Sequence, residues 1–134
     1  IAAFRRRADP RVRFPGPIYG AGYRQLLSHA LAYVHATEVG GTHPALVEAM
    51  GYGNCLLVND APENREAAGG TALWFTAARP ETLAALFDRV RRAPEEAAAL
   101  GRRAAARAAR RYSWPAIVDR YERLLAALVA RNCR

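Results

Sequence analysis

Residues 31–58 read LAYVHATEVGGTHPALVEAMGYGNCLLV, and this stretch decides the fold. Its two short apolar runs, Leu31–Val34 and Cys55–Val58, show no polar alternation, which is typical of strands covered on both faces. Between them, a glycine-containing loop leads into a predicted helix over residues 44–52. A strand, a helix and a second strand in this order predict two parallel strands joined by a helical crossover.

The flanking sequence extends the same alternation. Upstream it predicts the end of a helix at 1–8, a short strand at 12–14 and a helix over 19–30. Downstream it predicts a short helix at 63–68, a strand at 71–75, and then only helices, over 80–92, 94–111 and 114–130. We therefore expect an α/β fold, a partial Rossmann-like parallel sheet with flanking helices and a helical C-terminal tail.

Apolar residues recur at helical spacing in two of the late helices, which predicts that each buries one face. The positions are Leu83, Leu86, Phe87 and Val90 in the first, and Ile117, Tyr121, Leu124, Leu125 and Leu128 in the last. Tyr33, Trp74 and Phe75 fall in predicted strands and are expected in the core. Tyr112 and Trp114 are expected to be buried at a helix junction.

Composition indicates a globular chain with a strongly basic surface. Of its 134 residues 51% are hydrophobic and 24% charged, the formal net charge is +8, and every basic side chain is arginine. A solvated arginine-rich face and attraction to a polyanion or an anionic membrane surface both remain open. No apolar run reaches the roughly 18 residues of a membrane span, so we expect a cytoplasmic protein, with peripheral contact at the inner membrane face as a further option.

Metal and disulfide chemistry find little support in the sequence. Cys55 lies in an apolar run and Cys133 in the terminal tail, and neither has a partner at ligand spacing. His29, His35 and His43 also lack the spacing of a chelate, although His35 and His43 could both line a cleft. We expect no metal site and no cofactor.

The segment that carries chemistry is the loop before Pro44. Gly40 and Gly41 permit positive φ and close approach of a ligand to the backbone. Thr42 or His43 suits the helix cap and Pro44 the first helical position, so free amides and the positive helix end face the loop. This arrangement suits a diphosphate.

Glu48 lies one turn beyond Pro44, and helical side chains lean toward the N-terminus. Its carboxylate could therefore reach back to the loop and accept hydrogen bonds from ribose hydroxyls. An ordinary glycine-rich turn with a surface glutamate is an equally open interpretation on these grounds.

The residues of this segment resemble those of a known family. Residues 41–50, GTHPALVEAM, are similar to the nucleotide-sugar segment of family-4 glycosyltransferases, in the variant E-G-T-H-P-x-L-x-E-A. Other stretches agree in order and spacing, so the likeness covers essentially the whole chain: VRFPG at 12–16, YRQLL at 23–27, AYVHA at 32–36, NDAPENRE at 59–66 and RYSW at 111–114.

The resemblance implies the C-terminal, donor-binding domain of a GT-B glycosyltransferase, in which two Rossmann-like domains face a cleft. Glu48 would be the second glutamate of the paired-glutamate motif and hold the ribose. The nucleotide-sugar contacts would come from Gly40, Gly41, Thr42, His43, Leu46 and Glu48. Asn64 and Glu66 would organise the adjacent loop, and Trp114 would mark a terminal helix that packs back toward the partner domain.

Gly40 departs from the family pattern, because it stands where the first glutamate of that motif is expected. The Gly-Gly version is similar to a branch related to bacterial rhamnosyltransferases of polysaccharide assembly. It leaves the usual contact to the donor-sugar hydroxyls, and with it the sugar and the stereochemical outcome, undefined.

The resemblance also implies that residues 1–134 are a truncated domain, without the acceptor domain and without the first βαβ unit. Full-length activity would be hexosyl or deoxyhexosyl transfer from a nucleoside-diphosphate sugar, without a metal. No catalytic residue is assigned within this chain, which should be inactive alone. Expected partners are the nucleoside-diphosphate sugar, the missing domain and an anionic membrane surface, but not nucleic acid. The alternative is a basic, non-enzymatic module that binds polyanions.

Overall fold

The computed structural model describes residues 2–132, with side chains from Phe4 to Arg131; Cys133 lies outside this range. Its centre is a parallel sheet of three strands, β1 (Ala32–His35), β2 (Cys55–Asn59) and β3 (Ala72–Phe75), in that order. Ala32 pairs with Cys55, and Leu56 pairs with Ala72. The predicted α/β fold with a parallel sheet and a helical tail is confirmed.

Within residues 2–132, seven helices accompany the sheet: α1 (Ala2–Arg7), α2 (Gly20–His29), α3 (Pro44–Gly51), α4 (Pro62–Ala68), α5 (Pro80–Arg92), α6 (Pro94–Arg111) and α7 (Trp114–Asn132). A short 3₁₀ turn, Gly69–Thr71, joins α4 to β3. Helices α3 to α6 each begin with proline, where the missing N–H carries no penalty. These prolines place the helix starts where the sequence predicts them, within one residue.

Two hydrophobic cores flank the sheet. One joins Leu46 and Met50 of α3 to Leu56 and Val58 of β2, and Ala104 of α6 also belongs to it. The other contains Leu57 of β2 with Val90 of α5 and Ala97 of α6. Successive β2 residues thus point into opposite cores, as strand geometry requires, and α6 contributes to both.

The structure corrects several sequence-based expectations. Residues 12–14, within the described range, form no strand, because a strand needs a neighbour to pair with and no described residue provides one. Leu31, which precedes β1, and Val34 are exposed because few described residues outside β2 pack against this border of the sheet, although Tyr33 packs against the core. Phe87 is exposed although it shares a helix with the buried Val90, and Trp114 is 78% exposed rather than buried at a junction.

The predicted apolar stripe of α7 is not covered by other described residues. Tyr121, Leu124, Leu125 and Leu128 are all exposed, and so are Val118 and Val129. None of the described helices combines the length and the apolar character needed to cross a membrane.

Candidate functional site

The loop after β1 lies at the carboxyl edge of the sheet and is anchored where it begins. The side-chain amide of Asn64 donates to the carbonyl oxygens of Thr37 (3.0 Å) and Asn59 (3.0 Å), and Asn59 donates to the same Thr37 oxygen at 3.3 Å. The Asn59 side-chain oxygen accepts from Ala77 N–H at 2.8 Å. These hydrogen bonds join the ends of all three strands, and Asn64 ties the start of the loop to the end of β2.

Gly40 makes the turn in this loop possible. Its φ of +136° lies in a region that side-chain-bearing residues rarely adopt. A Cβ at this position would also meet Cε1 and Nε2 of His43 at 2.8 and 2.9 Å. The imidazole of His43 thus fills the space that a side chain at position 40 would need. Gly41 has no comparable constraint, so only one of the two glycines is needed for backbone geometry.

Helix α3 begins at Pro44, as predicted, with His43 as its N-cap residue. The His43 carbonyl accepts from Leu46 N–H (3.1 Å) and Val47 N–H (3.2 Å). Its side chain makes no capping hydrogen bond within the described part of the chain. The imidazole is therefore directed to the loop and not used for capping.

A second imidazole lies beside the first. The ring centres of His35, at the end of β1, and His43 are 5.0 Å apart, with planes tilted by 54°. His35 is only 6% exposed, and its Nε2 has no hydrogen-bond partner among the described residues. Burial, and then the neighbouring His43, lower the pKa of His35 below its ordinary value, which favours the neutral ring.

Glu48 is exposed and is held by a tyrosine of another helix. The hydroxyl of Tyr23, in α2, donates to Oε2 of Glu48 at 2.8 Å. This hydrogen bond to a carboxylate raises the pKa of Tyr23 to about 12, with smaller contributions from burial and from nearby charges. The contact fixes one carboxylate oxygen, and no described residue hydrogen-bonds to Oε1. In the sequence, Tyr23 stands out only as part of the stretch at 23–27 that resembles the family, so this contact was not predicted.

The end of β2 carries an ion pair that the sequence did not single out. Arg65 of α4 donates to both carboxylate oxygens of Asp60, and its guanidinium carbon lies 4.9 Å from the centre of the Trp74 ring. The hydrogen bonds from Arg65 lower the pKa of Asp60. An aspartate directly after a strand and an arginine in the first turns of the next helix were the available signal.

The remaining predicted residues have different surroundings. Thr42 and Gly41 are exposed in the loop, whereas Leu46 has no exposed surface and packs in the core beneath α3. Glu66 does not reach the loop: its carboxylate pairs with Arg111 of α6 at 3.0 Å, so it joins two helices instead. Among the described side chains, no three histidine, cysteine or acidic groups converge as metal ligands.

Comparison with known proteins gives one family match. The model of the glycosyl transferase-like family matches residues 3–123. No curated protein and no solved structure matches the chain. Because the match spans most of the sequence, the chain belongs to the glycosyl transferase-like family.

Proposed function

We propose that this chain binds the nucleoside-diphosphate part of an activated sugar, as the donor half of a glycosyltransferase. The observation that carries the proposal is the turn at Gly40 into helix α3 at the carboxyl end of β1, in a chain of this family. In open parallel sheets, ligands bind outside the carboxyl ends of the strands. Transfer of a hexosyl or deoxyhexosyl group would release the nucleoside diphosphate.

The diphosphate is proposed to lie against the loop and the start of α3. The amides of Gly41 and Thr42 are in exposed backbone, and the positive end of the helix dipole adds to their attraction for an anion. The His43 imidazole lies on the same side, next to Gly40. These groups would neutralise the leaving diphosphate without a metal ion.

The ribose is proposed to bind to Glu48. Its Oε2 accepts a hydrogen bond from the Tyr23 hydroxyl, which orients the carboxylate. Its Oε1 can then accept a hydrogen bond from a ribose hydroxyl. A carboxylate held in this way loses less freedom on binding than a mobile surface glutamate does. Tyr23 thereby becomes a positioning residue for the ligand.

Two open surfaces support a larger protein around this chain. The outer edge of β1 has no neighbouring strand within residues 2–132, as expected if a preceding βαβ unit completes the sheet. The exposed apolar stripe of α7 is suited to cover by a second domain. We propose that the α7 stripe meets the acceptor-binding part of the enzyme, which would also supply the catalytic residues.

The alternative of a polyanion-binding module is less well supported, because many arginines are already engaged. Ion pairs join arginine to acid at Arg89–Glu96, Arg91–Asp88, Arg111–Glu66 and Arg123–Asp119. Arg107 donates to the carbonyls of Ala67 and Glu66 near the end of α4. These contacts reduce the number of arginines available to an external anion.

Binding of nucleoside-diphosphate sugars tests the proposal. UDP-glucose, GDP-mannose and dTDP-glucose would be titrated into the ¹⁵N-labelled chain and followed by NMR, which detects millimolar affinity. We expect at least one to shift the amides of residues 40–48. Glu48→Gln should lower the affinity for that ligand about tenfold, equivalent to ~1.4 kcal/mol of binding free energy. The control Glu95→Gln, on the exposed first turn of α6, should bind like the parent chain.

Two results would contradict the proposal. One is the absence of binding by all three donors. The other is binding that ignores Glu48 and falls steeply with salt for heparin, DNA and anionic vesicles alike, which is the behaviour of a general polyanion module.

A further inference from the structure

The pair formed by His35 and His43 has an unsatisfied hydrogen-bonding group at its centre. His35 is buried at the end of β1, and its Nε2 has no partner among the described residues. A buried polar atom without a partner destabilises a fold. A functional role, such as contact with a ligand or a second state, is one explanation for keeping such an atom.

The separation of the two rings suggests what that second state is. Two imidazoles joined by an N–H···N hydrogen bond of about 3 Å have their centres roughly 5 Å apart. The His35 and His43 centres are 5.0 Å apart, yet no hydrogen bond joins them. Forming one requires a rotation of the His43 ring that brings a nitrogen of each ring together, with a proton on one of the two.

We propose that His35 and His43 take up one proton from solvent when a diphosphate occupies the loop, and hold it as a hydrogen-bonded pair. His43, next to Gly40, contacts the phosphate, and His35 accepts a hydrogen bond from His43. His35 acts through His43 and is therefore a positioning residue. The inference rests on the proposed function, since it names the anionic ligand of that same loop.

The charges around the pair permit this response. Tyr33, on the same strand, lies 6.3 Å from His35 between ring centres, and Tyr23 and Glu48 of the neighbouring helices are hydrogen-bonded to each other. From β2 and α4 the loop is met by the uncharged amides of Asn59 and Asn64. Glu38, in the loop itself, is exposed. An incoming diphosphate therefore becomes the dominant charge beside the pair, and it favours the protonated form.

Linkage gives the measurable consequence. If binding takes up one proton, the affinity must fall as the pH rises, by up to about tenfold per pH unit. This holds in the pH range where the free pair is unprotonated and the bound pair is protonated. Nucleoside-diphosphate sugars are the suitable probes, because their diphosphate is a diester. A free terminal phosphate would add its own titration near pH 6.

The test is histidine NMR with the donor that binds among UDP-glucose, GDP-mannose and dTDP-glucose. The side-chain nitrogens of the chain's three histidines would be followed between pH 5 and 9, free and saturated. We expect the His35 and His43 midpoints to rise by at least one pH unit on binding. His29 serves as an internal control, because it lies on α2 with Nδ1 against the Gln25 carbonyl and should not respond.

Variants separate this role from a structural one. His35→Phe fills the buried space without a nitrogen, and it should bind donor several-fold more weakly with a flat pH profile between 6 and 8. His35→Gln restores a hydrogen-bonding group but no titration, so it should recover part of the affinity and none of the pH dependence. His43→Asn should also flatten the profile.

The outcomes distinguish the two proposals. If no donor binds, the proposed function fails, and this inference fails with it. If a donor binds but the His35 and His43 midpoints do not move, or if His35→Phe keeps the parent pH profile, the proton-sharing pair is wrong while donor binding stands.

Discussion

The carbonyl oxygen of Gly53 lies so close to Gly101 that a Cβ on Gly101 would be 1.9 Å from it. Gly53, with φ +76°, is in the turn before β2, and Gly101 is in the middle of α6. The approach is possible only because Gly101 carries no side chain, whereas a Cβ on Gly53 would lie 3.8 Å from the Gly101 carbonyl oxygen, an ordinary contact distance. It positions α6 across the amino end of β2, opposite the loops of the candidate site.

Gly101→Ala should therefore destabilise the fold by about 2 kcal/mol or more, since the new methyl group meets backbone that cannot rotate away. Urea unfolding followed by circular dichroism measures the change. Gly51→Ala is the matched control, because a Cβ there would meet nothing within 4 Å, and it should leave stability equal or slightly higher. Equal stability of Gly101→Ala and the parent would contradict the close packing.

Gly40→Ala should lower the free energy of unfolding by about 1–2 kcal/mol and displace the His43 ring. The cause is the combination of φ +136° with a methyl group placed against that ring. Gly41→Ala, where nothing lies within 4 Å, should change stability by less than about 0.5 kcal/mol. Combining Gly40→Ala with His43→Ala should recover part of the loss, and strict additivity in that double-mutant cycle would argue against the contact.

Tyr23 should titrate near pH 12, because its hydroxyl donates to Glu48. A tyrosine pKa raised from 10.0 in the folded state stabilises the fold fully below pH 10, and this contribution is lost as the pH rises toward 12. Absorbance of tyrosinate near 295 nm, compared between the parent and Tyr23→Phe, isolates this group. Glu48→Ala removes the acceptor and should bring the midpoint back toward 10, and an unchanged midpoint would exclude the contact with Glu48 as its cause.

Loss of the Tyr23 hydroxyl should cost about 1 kcal/mol or less in stability, since the contact is partly exposed. Tyr121→Phe, on the exposed face of α7, removes the same group without such a partner and should be neutral. The structural effect of Tyr23→Phe should thus be small, although donor affinity falls because Glu48 is no longer held.

Stability should decline as the pH falls below 6.5, the ordinary value of histidine, because burial and His43 lower the pKa of His35. In that window the unfolded chain binds more protons than the folded one, so stability rises with pH. Urea unfolding at pH 5.5, 6.5 and 7.5 measures the slope. His35→Phe should make the free energy of unfolding independent of pH in this range, whereas His29→Gln should not. If the slope persisted in His35→Phe, other groups would be its cause.

Much of the fold could be predicted from local sequence. The prolines at 62, 80 and 94 set helix starts, and the apolar runs at 55–58 and 71–75 were strands within one residue of their predicted bounds. The strand predicted at 12–14 was wrong because local pattern cannot supply a pairing neighbour. Likewise, the stripe of α7 indicated a covered face, but the described chain contains no surface that covers it.

The candidate site was less accessible to prediction. The glycine loop and Pro44 were recognisable because both have backbone requirements that sequence reports directly. The contacts of His43 with His35 and of Glu48 with Tyr23 depend on how the loop and α2 are placed in space. The residues in each pair are 8 and 25 positions apart, and no periodic pattern links them.

Helix α6 supplies Ala97 to one core and Ala104 to the other. A helix shared in this way couples the two layers, so neither can melt while the other stays intact, and the domain should lose its structure in one step. The rigidity of the ligand-facing loops then depends on alanines buried in the two cores, so selection for binding would also constrain residues that never touch the ligand.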